Sequence, residues 1–563
     1  MKNVVFYYLK ILCFAFLISF PLVIPYLKPG FFPTHDGEWA IVRLTDMYRE
    51  VKDLQFPARF SGYLNFEYGY PLFNFAYPLP YYLGLIFVFL KFGFVNSIKI
   101  LFSLSIIFSA FSMFLLSASI WKNKWAGIIS AIIYIYAPYR IIDLFVRGSI
   151  GESLSFVLFP LILLFIKKLY DYPKSYKNIV ILGFLYAFLI TTHNVMTILF
   201  SIVIFFVALI ALLYKKVNFL LRLIISLVLA LGISAFFWIP AIFEKNLILL
   251  SKIPIADRSL NFVKPEQLLI PKWGYGVPID TNGFGYQIGL PQILAFCLVL
   301  VLVLIKKNKE RNIGLFLVLS TISVSFLLFS PSSFVWKYIP LLSEINYPWI
   351  MLGIIAFLIS LAAGYLTKFG KILTIPAVIL AVSAIILFLP HAKPEQFVNR
   401  GDDFYLTNQA TTTSSNELMP LWVNKLPNKK AEKKVEALKG SVENLSFNSR
   451  KINFALDLPA EEKVKINTIY YPGWSLYIDG KKTNIDYDNQ YGLMTLSIKE
   501  GKHFVSGVFS ETPVRLISDL ISLGSILTVV VFLLLILRFL NLKQDEIHKT
   551  NTFRTDCTFN FLF

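Results

Sequence analysis

Charged residues are scarce in this chain. Asp, Glu, Lys and Arg make up 15% of its 563 residues, whereas a soluble domain carries roughly 25%. Such a chain cannot cover itself in water, which excludes a soluble enzyme, a disordered protein and a fibrous one. Cysteine is nearly absent. There are three: Cys13 and Cys297 lie inside apolar runs and Cys557 lies in the tail, and no CxxC or Cys/His grouping suggests zinc. Acids are fewer than bases, 34 against 53, for a net charge of +19. In a membrane protein that excess belongs to cytoplasmic loops and to anionic lipid, so no nucleic-acid partner is expected. Also missing are a Walker A loop, a dinucleotide glycine fingerprint after a strand, HExxH, and GxSxG in a fitting context. Nucleotide-driven cytosolic chemistry therefore has no support.

What the chain does have is apolar length. Hydrophobic residues make up 56% of it and aromatic residues 16%. A membrane span needs about 20 apolar residues. Candidate spans are 4–27, 100–121, 124–139, 150–166, 178–192, 195–214, 217–240, 288–305, 313–332, 345–366, 372–390 and 516–537. The first has no small-residue cleavage site and reads as an uncleaved helix. The run 79–90 is too short to span and suits an interfacial or re-entrant helix. With the N-terminus inside and 79–90 in the interface, the short loops rich in Lys and Arg all fall on one side. These include Lys167, Lys168, Lys174 and Lys177, then Lys306, Lys307, Lys309 and Arg311, then Arg538 and Lys543. That is the positive-inside pattern, with both termini cytoplasmic.

The reading is a mainly α, polytopic protein of the cell membrane with about twelve transmembrane helices. Residues 1–390 form the transmembrane domain, with a large first extracytoplasmic loop at 28–96. Residues 391–515 form an extracytoplasmic domain, 516–540 the last transmembrane helix, and 541–563 a cytoplasmic tail. From about Val442 the sequence alternates with period two, which predicts a small β-sandwich. Asp479-Gly480 and Glu500-Gly501 sit where hairpin turns are expected. The Lys-rich stretch 428–440 reads as helical or loose.

Three clusters could carry chemistry. In the first loop, Asp36 and Glu38 lie beside His35 just past the first span. A carboxylate at the membrane rim can act as a general base or hold a divalent cation; an Asp-Gly pair is also often only a turn. Arg43 and Arg59 follow, Arg43 on a predicted amphipathic helix at 37–54, and guanidinium forks suit phosphate. The second cluster is PYRIIDLFVRGSIGES, 138–153. Arg140, Asp143 and Arg147 share a helical face there and Glu152 follows. Ionisable groups at membrane depth either pair or work, and a local Arg140–Asp143 ion pair explains them equally well. The third is His193-Asn194 between two apolar runs, where a helix cap competes with a ligand-facing imidazole.

These residues carry a resemblance. HDG (35–37), LQFPARF (54–60), GYPLFNFAYPLPYYLG (69–84), APYRIIDLFVRGSIGE (137–152), TTHN (191–194), WGYG (273–276) and YYPGWSLYIDGKK (470–482) run through most of the chain. Together they resemble the GT-C glycosyltransferase superfamily. The subset is the 6-pyruvoyl-tetrahydropterin-synthase-related membrane proteins, which are themselves similar to YfhO-like proteins. The pterin label is historical and implies no pterin chemistry. The resemblance implies a sugar donor linked to polyprenyl phosphate, a glycan, lipid or protein acceptor, and an extracytoplasmic site. It gives Asp36 the base or acceptor-orienting role, with Glu38 as second candidate, and turns Arg140, Arg147 and His193 toward the donor phosphate. It also implies inversion at the anomeric carbon. One departure is NYPWIML (346–352), where Ile350 stands in place of the basic residue expected after the Pro-Trp pair. A flippase for lipid-linked sugars and a non-catalytic envelope-assembly protein are the alternatives.

Overall fold

A computed structural model describes residues 2–408 and 410–556. Cys557 and the rest of the tail to Phe563 lie outside the described residues. Seven helices are long and apolar enough to cross a membrane, or ten if each of three bent pairs is one span. The count of twelve expected from apolar runs is thus not reached by length. Two expected spans are helices of 17 and 16 residues, Tyr176–Thr192 and Leu290–Ile305. Three others are bent. Lys124–Ile135 turns 48° into Pro138–Arg147, Val217–Ile233 turns 73° into Ala235–Phe243, and Arg311–Phe326 turns 89° before Ser330–Tyr338. Apolar composition cannot report a bend, because both arms stay apolar. The run 79–90 is a helix of 11 residues, Leu79–Phe89, as its length predicts.

Pro348–Phe369 is buried over nearly all of its length and forms the centre of the bundle, whereas Lys371–His391 and Pro513–Leu535 are little buried. Serines let the inner helices approach closely. Ser105 of Phe94–Trp121 meets Ser153 of Ile150–Asp171 at 2.6 Å, and Ser117 meets Ser130 at 2.8 Å.

The first loop holds an amphipathic helix, Gly37–Lys52, that buries Ile41, Leu44 and Met47. It also buries two acids. Ser61 Oγ donates to Asp46, while Glu50 accepts from Gln55 Nε2 and, at 2.9 Å, from the Gly62 amide. Burial pushes the Asp46 carboxyl up to about 7 and Glu50 well above the ordinary range.

The C-terminal domain has eight strands: β1 Val435–Glu436, β2 Ser441–Phe447, β3 Lys451–Leu458, β4 Glu462–Ile469, β5 Trp474–Ile478, β6 Lys481–Thr483, β7 Leu493–Ile498 and β8 Gly501–Phe509. They form two antiparallel sheets, ordered β1-β4-β7 and β2-β3-β8-β5-β6. Asp479-Gly480 closes the β5–β6 hairpin with both residues at positive φ, 49° and 77°, as a two-residue turn of this kind requires. Glu500-Gly501 does not close a hairpin: β7 pairs with β4 and β8 with β3 and β5, so this turn passes the chain from one sheet to the other. Alternation locates strands but does not name their partners. The Lys-rich stretch holds no helix; it is loose up to the short β1.

The two large loops meet. Phe31 bridges Val398, Ile469 donates its amide to Tyr68 O at 2.8 Å, and Ser449 donates its amide to Asp53 at 2.9 Å. A buried ion cluster fastens them to the bundle. Glu244 accepts from Arg515 Nη2 at 2.7 Å, Asn74 at 2.9 Å, Tyr471 at 3.0 Å and Thr512 at 3.0 Å. Arg515 is fully buried. Removing one partner of a buried ion pair strands the other's charge, at a cost of roughly 3–5 kcal/mol. Glu244→Ala is therefore predicted to lower the thermal unfolding midpoint of the detergent-solubilised protein markedly; a wild-type midpoint would remove this cluster from the scaffold.

Candidate functional site

Asp36 precedes the first turn of Gly37–Lys52 and is held by backbone. The His35 amide donates to Val146 O at 3.0 Å and the Asp36 amide to Arg147 O at 2.8 Å. This approach depends on Gly148. Its φ is +64°, and a Cβ there would lie 2.1 Å from Thr34 Oγ1 and 2.9 Å from the Gly37 nitrogen. Asp143–Arg147 forms a π-helical turn, a local widening often found at working sites. It delivers the Arg147 carbonyl to Asp36.

From Arg147 a chain of contacts encircles the site. Arg147 Nη1 donates to Glu152 and, at 3.1 Å, to the Tyr139 hydroxyl, which in turn donates to Glu152 at 2.8 Å. The guanidinium lies 4.8 Å from the Trp349 ring centre. His193 Nε2 stands 3.9 Å from Glu152, and the imidazole stacks on Tyr77 with centroids 4.9 Å apart. A second glycine makes room. A Cβ on Gly151 would fall 2.6 Å from Thr192 O, 2.8 Å from the Tyr77 ring and 2.9 Å from the His193 ring. Tyr77 lies parallel to Tyr81, and Arg43 donates to the Tyr81 hydroxyl at 3.4 Å. Arg43 also donates to Thr412 Oγ1 at 3.0 Å and to Thr412 O.

The charges of this ring act on the half-buried Asp36 carboxyl. Burial raises its pKa, Arg147, Arg43 and His35 pull it back in that order, and Glu152 adds a smaller upward push. His35 itself donates from Nε2 to Tyr275 O at 2.8 Å, so the WGYG segment closes one side. Phe284 carries that wall on to Trp349, with ring centroids 5.4 Å apart.

Of the residues singled out from sequence, His35, Asp36, Arg43, Arg147, Glu152 and His193 converge here. Four do not. Arg140 is fully enclosed: Nη1 reaches Asp143 and Ser153 at 2.9 Å each, and Nη2 reaches Ser105 at 3.1 Å. The local ion-pair explanation describes it, because a guanidinium with no exposed surface meets no donor. Arg59 is likewise buried, bonded to Asp519 at 2.7 Å, Phe236 O at 2.6 Å and Glu511 at 3.4 Å. Glu38 accepts from Arg400 and Tyr405, each at 3.0 Å, and so pins the 391–515 segment. The Asn194 side chain is exposed. For His193 the helix-cap reading describes Nδ1, which accepts from the Met196 amide at 3.2 Å, while Nε2 stands 3.9 Å from Glu152.

Glu38's ion pair also bears on a divalent cation at Asp36 and Glu38. With one of the two carboxylates spent on Arg400, the pair does not fit such an ion. Among the described residues no group of three or more His, Cys, Asp or Glu is placed to hold a metal. Ile350 is buried in the core, and the cation beside Trp349 is Arg147. Sequence reading missed Tyr77, Tyr81, Tyr139, Trp349 and Thr412. The first four sit inside stretches noted above, but aromatic residues are so common here that nothing marked them.

An apolar groove of about 260 Å³ lies between Leu79–Phe89, Phe94–Trp121, Ile150–Asp171 and Tyr176–Thr192. Its lining includes Leu83, Leu104, Phe108, Leu158 and Phe188, together with Leu79 and Thr192. Leu79 is two positions from Tyr77 in the chain, and Thr192 is one from His193.

Residues 73–393 match the family model for the 6-pyruvoyl-tetrahydropterin synthase related domain, a membrane protein. No curated protein matches the chain. Among solved structures, the cryo-EM structure of the arabinofuranosyltransferase AftD from Mycobacteria is similar at 14% identity and a TM-score of 0.44, covering 69% of this chain and 27% of that one. This chain thus spans about a quarter of AftD's length. The family match takes in more than half of the sequence and carries Tyr77, Arg147, Glu152 and His193; the chain belongs to the 6-pyruvoyl-tetrahydropterin synthase related family of membrane proteins.

Proposed function

We propose that this protein is a membrane glycosyltransferase that moves a sugar from a polyprenyl-phosphate carrier to an extracytoplasmic glycan, lipid or protein acceptor. The observation that carries the reading is an apolar groove whose lining includes the chain neighbours of Tyr77 and His193, beside a charged, aromatic-rich site. A lipid-phosphate sugar has that same division: a greasy tail, one anionic link and a polar ring. In this reading the tail lies in the groove past Leu83 and Leu104. Arg147 meets the phosphate, because Nη1 serves both of its bonds and leaves Nη2 without a protein partner among the described residues. Its charge is retained at any working pH. Tyr77, Tyr81 and Trp349 offer flat walls to the sugar.

Asp36 is the base. It accepts the proton of the acceptor hydroxyl as that oxygen attacks the anomeric carbon from the face opposite the phosphate. The carbon–oxygen bond to phosphate breaks, its electron pair leaves with the phosphate, and the sugar is inverted. Arg147 stabilises the charge that grows on the leaving group. The carrier's phosphate bond supplies the energy, so the reaction draws on no nucleotide. A carboxyl raised by burial suits a base better than an ordinary one, since a proton acceptor works best with a pKa near the working pH.

Two outcomes are expected. Asp36→Asn should lower kcat by roughly 100- to 10,000-fold, the usual share of a general base, measured as sugar transfer from a synthetic polyprenyl-phosphate donor in nanodiscs. Wild-type kcat/KM should also fall on acidification with a limb above the ordinary Asp value of about 4. Undiminished turnover in the variant removes Asp36 from the mechanism. Separately, Leu104→Trp should fill the groove and raise KM for a long-chain donor while sparing one with a two-isoprene tail. Equal KM changes for both tails would dismiss the groove as the tail site.

A further inference from the structure

A cavity lies away from the site just described, at the edge of the β-domain. It encloses about 730 Å³, well within the range of small-ligand sites. Three stretches build it: the Lys-rich segment leading into β1, the start and face of β2, and the first-loop tip at Phe66 and Glu67, with Asn467 of β4 at its side. The tip is held in an unusual conformation. Asn65, Phe66 and Glu67 are consecutive non-glycine residues at positive φ, 54°, 57° and 65°, a region costly for side chains with a Cβ. Hydrogen bonds keep it there. The Tyr68 amide donates to Asn65 O at 3.0 Å, and Lys434 Nζ donates to Glu67 O at 2.6 Å and to Asn467 O at 3.0 Å. The result is a phenyl ring, Phe66, set on the lip of a cavity whose opposite wall includes the 42%-exposed Phe447.

The charged part of the lining is nearly neutral. Lys430, Lys433 and Lys434 stand against Glu67 and Glu432. Lys430 pairs with Glu67 at 2.6 Å, and Lys434 is committed to two carbonyls and lies 5.3 Å from the Phe447 ring centre. The Lys433 ammonium has no ion-pair partner among the described residues. Asn467 is buried, spends its amide hydrogens on Lys433 O at 2.7 Å and Glu436 at 2.6 Å, and takes no donor on Oδ1 from the described residues. A matching ligand offers an apolar ring face to Phe66 and Phe447, hydroxyls to Asn467 and Ser441, and a modest negative charge to Lys433. A net excess of one cation does not suit a polyanion. We infer that this cavity is a binding site for a short acidic saccharide, one bearing a single carboxylate among neutral sugar rings.

The inference stands on the cavity alone and does not require the transferase reading. Binding is measured without any donor, so each can fail separately. Full-length protein in nanodiscs is titrated calorimetrically with a galactotriose analogue in which one ring is galacturonate and, in parallel, with neutral galactotriose. Saturable binding of the mono-acidic trimer, weakened by salt and at least about tenfold tighter than the neutral trimer, is expected. Lys433→Glu, an exposed position, should weaken it about tenfold or more with unchanged thermal stability, and Phe66→Ser should weaken both trimers. No saturable binding at millimolar saccharide, equal affinity for both trimers, or wild-type affinity in Lys433→Glu would each overturn the assignment.

Discussion

The Arg147–Glu152 ion pair is the constraint around which the site is organised. Neither charge could stay in an apolar bundle alone, since an unpaired buried charge costs several kcal/mol. Each therefore recruits neighbours. Tyr139 bonds both, Trp349 covers the guanidinium face, and His193 closes on the carboxylate. To bring these groups together the backbone must pass closely, which is why glycine occupies 148 and 151. The widened turn at Asp143–Arg147 then leaves a carbonyl free to hold the Asp36 amide. The placement of the carboxylate follows from the pairing of two other charges.

The same logic joins the soluble segments to the bundle. Glu244, at the end of a bent span, gathers Asn74 from the first loop, Tyr471 from the β-domain, and Thr512 and Arg515 from the last helix. Arg59 binds Asp519 and the Phe236 carbonyl close by. These contacts fix the β-domain against the first loop. Glu38 and Arg43 extend the fastening through Arg400 and Thr412. The segment around Thr412 therefore both covers the site and tethers the domain behind it.

Much of this was readable in advance, though unevenly. The apolar runs, the short helix at 79–89 and the amphipathic helix at 37–52 are local consequences of composition and period, and they stand where expected. The longer strands begin where alternation begins, while the short β1 at Val435–Glu436 precedes it inside the Lys-rich stretch. At the site, charge in an apolar chain was a sound guide to importance but a poor guide to role. Arg140 and Arg147 are seven residues apart in one motif. Arg140 points into a serine-lined interface and serves packing, whereas Arg147 keeps a face toward Asp36. Spacing cannot separate them, because the π-turn that leads into Arg147 and the glycine that follows it redirect the second side chain.

Sequence alone determined that this is a multi-span membrane protein with a C-terminal β-rich region, and it singled out HDGE and the Arg-rich motif. Each of these depends only on the composition and periodicity of neighbouring residues. Tertiary structure alone decided which acid faces the site, that Glu38 and Arg59 are fasteners, that β7 and β8 belong to different sheets, and that aromatic rings from distant stretches wall one pocket. Those facts depend on contacts between residues hundreds of positions apart. Such contacts are set by which buried charges find partners, and no local pattern records that.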